Sequence, residues 1–218
     1  MEVRLEDVWF SYDGRRYVLR SVNVEFKGRG LHVVMGPNGS GKTTLLKIVS
    51  LIYKPTRGSV VVDGRSYWDL GPGERDSIRQ HVVYVHDKPI ILRGDVWYNV
   101  SLGLRLRLRG SDSYDYLEEL VKRYGVSKLL RSNSRSLSAG QRRLISIIRA
   151  LALKPRVLVL DEPFNHLDSS RVRMLLEDLT SMAGSSLVVV ATHYMVRELM
   201  GSATRLYELV DGSLREQG

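Results

Sequence analysis

Cysteine is absent from the 218 residues. That excludes disulfide scaffolds and thiolate-bound metals, and it is compatible with a reducing compartment. Also missing is any long apolar run: stretches such as Leu187–Ala191 fall far short of the roughly 20 residues that a membrane-spanning helix needs. The chain opens Met1-Glu2-Val3-Arg4-Leu5-Glu6-Asp7, charged at once, where a secretory leader needs an apolar core. No repeat, low-complexity tract or long linker interrupts it. Acidic residues are the minority, 24 against 33 Lys and Arg, for a formal charge of +9. This excess points to an anionic partner, whether nucleotide, nucleic acid or lipid headgroup, without choosing among them.

A hydrophobic content of 43% is enough to bury the core of one sizeable domain. The first 35 residues alternate apolar and polar in "EVRLEDVWF" and "VLRSVNVEF", with a turn at "SYDGRRY" and a short buried run in "GLHVVM". All three runs are predicted to be strands. "GSVVVDGRSY" predicts a hairpin at Asp63-Gly64. Tyr116, Leu117, Leu120, Val121 and Tyr124 fall at helical spacing, with Gly125 as a stop. A helix from Ser138, a strand "RVLVLDEP", a helix from Ser169, a strand "SLVVVATH", a helix from Tyr194 and a last strand pair at Asp211-Gly212 follow. Strands alternating with helices imply an α/β fold with a parallel sheet covered on both faces.

Gly36-Pro37-Asn38-Gly39-Ser40-Gly41-Lys42-Thr43 matches G-x-x-x-x-G-K-[ST] between a strand and a helix that continues through Thr44. In that setting the glycines let backbone N–H groups turn inward on phosphate oxygens, and the helix start adds positive potential. Lys42 is placed to reach the β and γ phosphates, and the Thr43 hydroxyl to ligate Mg²⁺. Four apolar residues, Val157–Leu160, then lead to Asp161 and Glu162 at a strand's carboxyl end, where open α/β sheets bind ligands. Asp161 suits the metal through water, and Glu162 the polarising of an attacking water. Alone, "DEP" would read as a turn or helix cap; with the loop upstream it reads as the second half of a nucleotide site.

Five further segments fall in order: Tyr12 ahead of the loop, "VVYVHDKPIIL" (82–92), "LSAGQ" (137–141), "FNHLD" (164–168) and "ATH" ending at His193. Together they resemble the nucleotide-binding subunit of an ABC transporter, over essentially the whole chain. The resemblance implies a P-loop NTPase core with a mainly parallel sheet, an N-terminal antiparallel β subdomain and an inserted α-helical subdomain. In a single domain spanning 1–218, about 1–94 and 151–218 would form the β and RecA-like core. About 95–150 would form the helical part with the signature. It further implies ATP and Mg²⁺, with Tyr12 stacking on adenine and two subunits sandwiching two ATP molecules. Ser138, Gly140 and Gln141 of one subunit would meet the γ-phosphate held by Lys42 of the other, and Asp168 would bridge the halves. His193 would contact the γ-phosphate, in a reaction where positioning and electrostatics do most of the catalysis.

Asp87 departs from the family pattern, in which a Gln stands between "YV-x" and "x-P". "LRGDVWYNV", with Asn99, sets the register; His86 is the alternative if the loop shifts by one. At ~6 Å from a γ-phosphate charge and an effective dielectric of ~20, a carboxylate there is repelled by about 3 kcal/mol. Mg²⁺ or Lys88 offsets this, and Asp is a hard oxygen ligand for the metal. The expected metal set is Thr43, Asp87 and Asp161.

The loop around Asp87 and the helical insert would, by the resemblance, receive a coupling helix from a transmembrane permease. The insert carries "LGLRLRLRG" (102–110) with Arg105, Arg107 and Arg109. Its alternation alone reads as a strand, and a helix there follows from the resemblance only. The expected function is ATP-driven transport from the cytoplasmic face of the membrane. The stretch 87–110 is most similar to importers of small ligands such as oxyanions, which work with a substrate-binding protein, and the short run after His193 leaves no room for a regulatory domain. A soluble relative acting on nucleic acid or ribosomes is the alternative. Neither the long coiled coil of DNA-repair relatives nor the doubled ATPase of ribosomal ones is present, which argues against nucleic acid as partner.

Overall fold

The computed structural model describes residues 1–107, 110–193 and 197–217. Alternating side chains build the first sheet. β1 (Val3–Ser11) turns Val3, Leu5, Val8 and Phe10 inward and pairs antiparallel with β2 (Tyr17–Phe26). β3 (Gly30–Met35) leaves for a second sheet and runs into α1 (Lys42–Val49). β4 (Arg57–Val62) then returns along the free edge of β1, and β5 (Arg65–Ser66) follows it. Between them Asp63 and Gly64 take φ of 46° and 79°, as a type I′ turn requires.

α2 (Pro72–Arg79) leads to β6 (Val82–Val85). Three helices follow: α3 (Val96–Leu106), α4 (Ser111–Arg123) and α5 (Ala139–Leu151). Then come β7 (Val157–Asp161), α6 (Ser169–Ala183), β8 (Leu187–Thr192), α7 (Arg197–Ser202), and the hairpin of β9 (Arg205–Val210) and β10 (Ser213–Gln217). The second sheet has the order β10-β9-β3-β8-β7-β6, parallel except for β10. Its central strands β3, β8 and β7 are apolar on both faces because both are covered. Val34, Val159, Val189 and Ala191 pack on α1 and the antiparallel sheet, while Val33, Leu158, Leu160, Val188 and Val190 pack on the helices opposite.

The structure departs from local pattern in two places. Residues 102–106 are helical: Val96, Val100 and Leu104 form a buried stripe behind an Asp95 N-cap. Leu102, Leu104 and Leu106 therefore do not share a face, and Leu104 is 1% exposed whereas Leu106 is 76%. Packing of that stripe overrides the alternation. Arg109 lies outside the described residues. α2, with no buried residue and introduced by Pro72, has no apolar stripe from which to predict it. The expected helix after Tyr194 is described only from Arg197, and Tyr194 itself is outside the described residues.

His32, on β3, is buried with a stacked ring contact to Tyr207 and an edge contact to Phe26. Burial pushes its imidazole down to about 4, helped by the charge of Arg205. The neutral form is therefore the folded form. The unfolded chain binds the extra proton between pH 6.5 and 4, so His32 supports stability above that window and withdraws the support below it. Urea unfolding should show wild type losing about 3 kcal/mol more than His32→Phe on going from pH 7 to pH 4. Parallel pH profiles for the two proteins would contradict this.

Candidate functional site

The phosphate loop hangs between β3 and α1. Gly36 has φ 157°, and a Cβ there would lie 2.2 Å from the Leu209 carbonyl oxygen. This glycine is demanded by β9 beneath the loop, not only by a ligand above it. Lys42 opens α1 behind Gly41 and is 6% exposed, and its Nζ donates to the carbonyls of Gly36 (2.7 Å) and Pro37 (3.1 Å). Asn38, Gly39, Gly41, Lys42, Thr43 and Thr44 line a cleft of about 270 Å³ together with Val18, Asp87, Asp161 and Glu162. Ser40 faces a neighbouring cavity, and its buried Oγ has no hydrogen-bond partner among the described residues.

β7 delivers the carboxylates. Thr43 Oγ1 donates to Asp161 Oδ2 at 2.6 Å, and the Tyr84 hydroxyl, from β6, donates to the same oxygen at 3.1 Å. Burial raises the Asp161 pKa; these two hydrogen bonds oppose the rise, and the negative charges of Asp87 and Glu162 add to it. Glu162 sits at φ 48°, a left-handed conformation costing a side-chain-bearing residue about 1 kcal/mol. That turn aims its carboxylate at the loop. Oε1 lies 3.8 Å from Lys42 Nζ and 2.9 Å from His193 Nδ1, and Oε2 accepts the His193 N–H at 3.3 Å. β8 places His193 there because Asp161 pairs with Ala191, two residues earlier.

Tyr12 follows β1 with 61% of its surface exposed. Its hydroxyl is 2.8 Å from Thr44 Oγ1, and its ring edge packs on Phe10 and Tyr53. Asp87 lines the cleft, with His86 Nδ1 against its Oδ1. Lys88 does not line it. Arg143, on α5, instead donates to the carbonyls of His86 at 2.9 Å and of Asp87. Tyr84, though part of the stretch 82–92, and Arg143 had no role assigned from the sequence; the pairing of β6 with β7 and the packing of α5 reveal what they touch.

Ser138, Gly140, Gln141 and Asp168 do not line the cleft. Ser138 caps α5 in a reciprocal box: Gln141 N donates to Ser138 Oγ (3.2 Å), and Ser138 N to Gln141 Oε1 (2.8 Å). Asp168 caps α6, with Oδ1 accepting from Ser170 Oγ (2.6 Å) and Arg171 N (3.0 Å). These bonds, that of Ser170 first, hold its carboxyl below the usual range. A Cβ on Gly140 would lie 2.6 Å from the His166 carbonyl oxygen, so the two exposed turns are in direct backbone contact.

A glycine-rich loop leading into a helix, with an invading lysine and two carboxylates at the end of the adjacent-but-one strand, defines a P-loop ATPase. The chain belongs to the ABC transporter family, whose model, described as "ABC transporter", matches residues 19–165. ATP hydrolysis is the activity that characterises that family. A putative ABC transporter ATP-binding protein of Pyrococcus abyssi is 31% identical over 98% of this chain and 82% of its own length. The molybdate/tungstate import ATP-binding protein WtpC of the same organism is 32% identical over 76% of this chain and 47% of its own length. The ATP-binding cassette MJ0796, solved as a dimer in a post-hydrolysis state with ADP and Pi, superposes with a TM-score of 0.88 at 29% identity. The match covers 99% of this chain and 97% of that one.

Without the His166 contact, alanine at position 140 would favour the helix by up to about 1 kcal/mol. Overpacking against a backbone carbonyl costs about 1–3 kcal/mol and should win. Gly140→Ala is expected to lower the urea midpoint of the nucleotide-free protein; a raised midpoint would show the contact to be yielding.

Proposed function

We propose that the chain is the ATP-hydrolysing, energy-coupling subunit of an ABC transporter, working as a pair of copies closed around two ATP molecules. The observation that supports it most is a division of the motifs. Lys42, Thr43, Asp161, Glu162 and His193 converge on one cleft, while Ser138, Gly140 and Asp168 stand outside it on capped helix starts. A second copy, paired as in the MJ0796 dimer, brings its α5 start and its positive end over the triphosphate. Tyr12 stacks on the base. The loop from Gly36 to Ser40 and Thr44 cradle the phosphates, and Lys42 exchanges the Gly36 and Pro37 carbonyls for phosphate oxygens.

Thr43, Asp161 and Asp87 are the residues that would hold Mg²⁺. One hydroxyl and hard carboxylate oxygens gathered at a raised-pKa aspartate suit that ion. Bound there, it would neutralise phosphate charge. Glu162 takes the proton of the attacking water. His193, in contact with Glu162 Oε1, holds that carboxylate and lies within reach of the γ-phosphate.

The output surface we assign is a groove of about 470 Å³ between β6, α3 and α5, lined by Ile52, Pro89, Ile90, Leu102, Leu106 and Leu153 among others. Ile90 is 63% exposed and Leu106 76%. Arg149 fixes the floor by donating to the Ile90 carbonyl (2.9 Å) and to Asn99 O and Oδ1 (both 2.8 Å). An apolar helix of a permease fits such a groove, with the chain held peripherally on the cytoplasmic face. No helix among the described residues is long and apolar enough to cross a membrane. Inward transport of a small ligand such as an oxyanion, delivered by a substrate-binding protein, is the reading supported by stretch 87–110 and by the molybdate/tungstate relative.

Glu162→Gln should cut ATP turnover at least about a hundredfold and give an ATP-dependent dimer in size-exclusion chromatography. A monomer at saturating ATP would remove the paired site. Asp87→Gln should flatten the dependence of ATPase rate on free Mg²⁺; coincident curves for variant and wild type would take Asp87 out of the metal set.

A further inference from the structure

Among the described residues Arg143 is the bulkiest fully buried side chain, 1% exposed. A guanidinium in that position carries a large desolvation cost unless anions lie near it. Among the described residues it makes no salt bridge. Its two Nη groups donate to the successive carbonyls of His86 (2.9 Å) and Asp87, and Nε finds no hydrogen-bond partner. The carbonyls satisfy donors but leave the charge uncancelled. Burial lowers the Arg143 pKa, and the carboxylates of Asp87, Asp161 and Glu162 push it back up. Asp87, Asp161 and Glu162 line one cleft, and the loop that Arg143 holds by its carbonyls carries the first of them. On the open side of the same cleft the described cation is Lys42.

We propose that Arg143 is a positioning residue for ATP hydrolysis, clamping residues 86 and 87 over the cleft through their carbonyls and supplying the positive potential that lets Asp87 stand beside a triphosphate. The proposal rests on the placement of Asp87 at the nucleotide argued above. The two bonds set where the loop lies, and the charge sets how much negative ligand the cleft tolerates. These effects separate in kinetics, the charge acting on nucleotide affinity and the clamp on turnover.

The test is steady-state ATPase kinetics at a series of fixed free Mg²⁺ concentrations for wild type, Arg143→Gln, Asp87→Asn, the double variant and Arg143→Lys, each checked by thermal unfolding. Arg143→Gln should raise KM for MgATP about tenfold, by leaving Lys42 alone to balance the cleft's three carboxylates. Adding Asp87→Asn should bring KM back to within about threefold of wild type, since one anion fewer needs balancing. A purely structural arginine would not be rescued this way, because the carbonyl bonds stay lost. Arg143→Lys should hold KM within about twofold while kcat falls, since an ammonium keeps the charge but does not span two carbonyls.

An unchanged KM in Arg143→Gln, or a double variant no better than that single one, overturns the proposal. Should Arg143→Gln not fold, the lysine variant decides: KM and kcat failing together, or neither changing, overturns it equally. If Asp87→Asn alone leaves both KM and Mg²⁺ dependence unmoved, the placement of Asp87 fails and the proposal with it. The wider ATPase reading then still stands on the Glu162 variant.

Discussion

The site depends on one piece of strand register. β8 lies between β3 and β7, pairing Met35 with Thr192 and Asp161 with Ala191. The phosphate loop, the paired carboxylates and His193 come from residues 36–43, 161–162 and 193, far apart in the chain, and all leave the sheet at this one edge. Parallel strands allow that, since every carboxyl end points the same way. The register is held by aliphatic side chains alternating between two buried faces. A slip of one residue would send each face into the wrong core.

On this frame the chemistry is a matter of charge placed at short range. Three carboxylates sit where a polyanion is to bind, and their cost is visible in the raised pKa of Asp161 and the left-handed turn at Glu162. Lys42 faces them from the open side and Arg143 from the buried side. The two cations differ in kind. Lys42 is held by loop carbonyls that a phosphate can replace, whereas Arg143 is locked beneath the loop that carries Asp87. The same α5 that carries Arg143 begins at Ser138, so the loop of residues 86–87 is hydrogen-bonded to the helix whose start we propose meets a second copy.

Much of this was legible in the residues themselves. The glycine-lysine-threonine spacing, the apolar run ending in Asp161 and the helix start at Ser138 are local devices whose physics is complete within a few residues. Where a side chain's partner is distant in sequence, legibility ended. The alternation at 102–106 pointed to a strand until α5 and α4 buried the Val96, Val100 and Leu104 stripe. Gly36 and Gly140 read as phosphate glycines, yet each is also demanded by a backbone oxygen, of Leu209 and of His166, that no spacing rule contains. Lys88 stood as the counter-charge to Asp87 by proximity in sequence; the fold instead brings Arg143, from 56 residues away, onto the Asp87 carbonyl.

The linear order of residues thus determined the fold class, the cradle for phosphates and the identity of the carboxylates, because those follow from periodicity and from turns that close on themselves. The tertiary structure decided which carboxylate shares an oxygen with Thr43 and Tyr84, which histidine atom meets Glu162, and which arginine lies beneath Asp87. Those contacts join separate strands and helices, so their distances are set by sheet register and core packing, and no local stretch of chain encodes them.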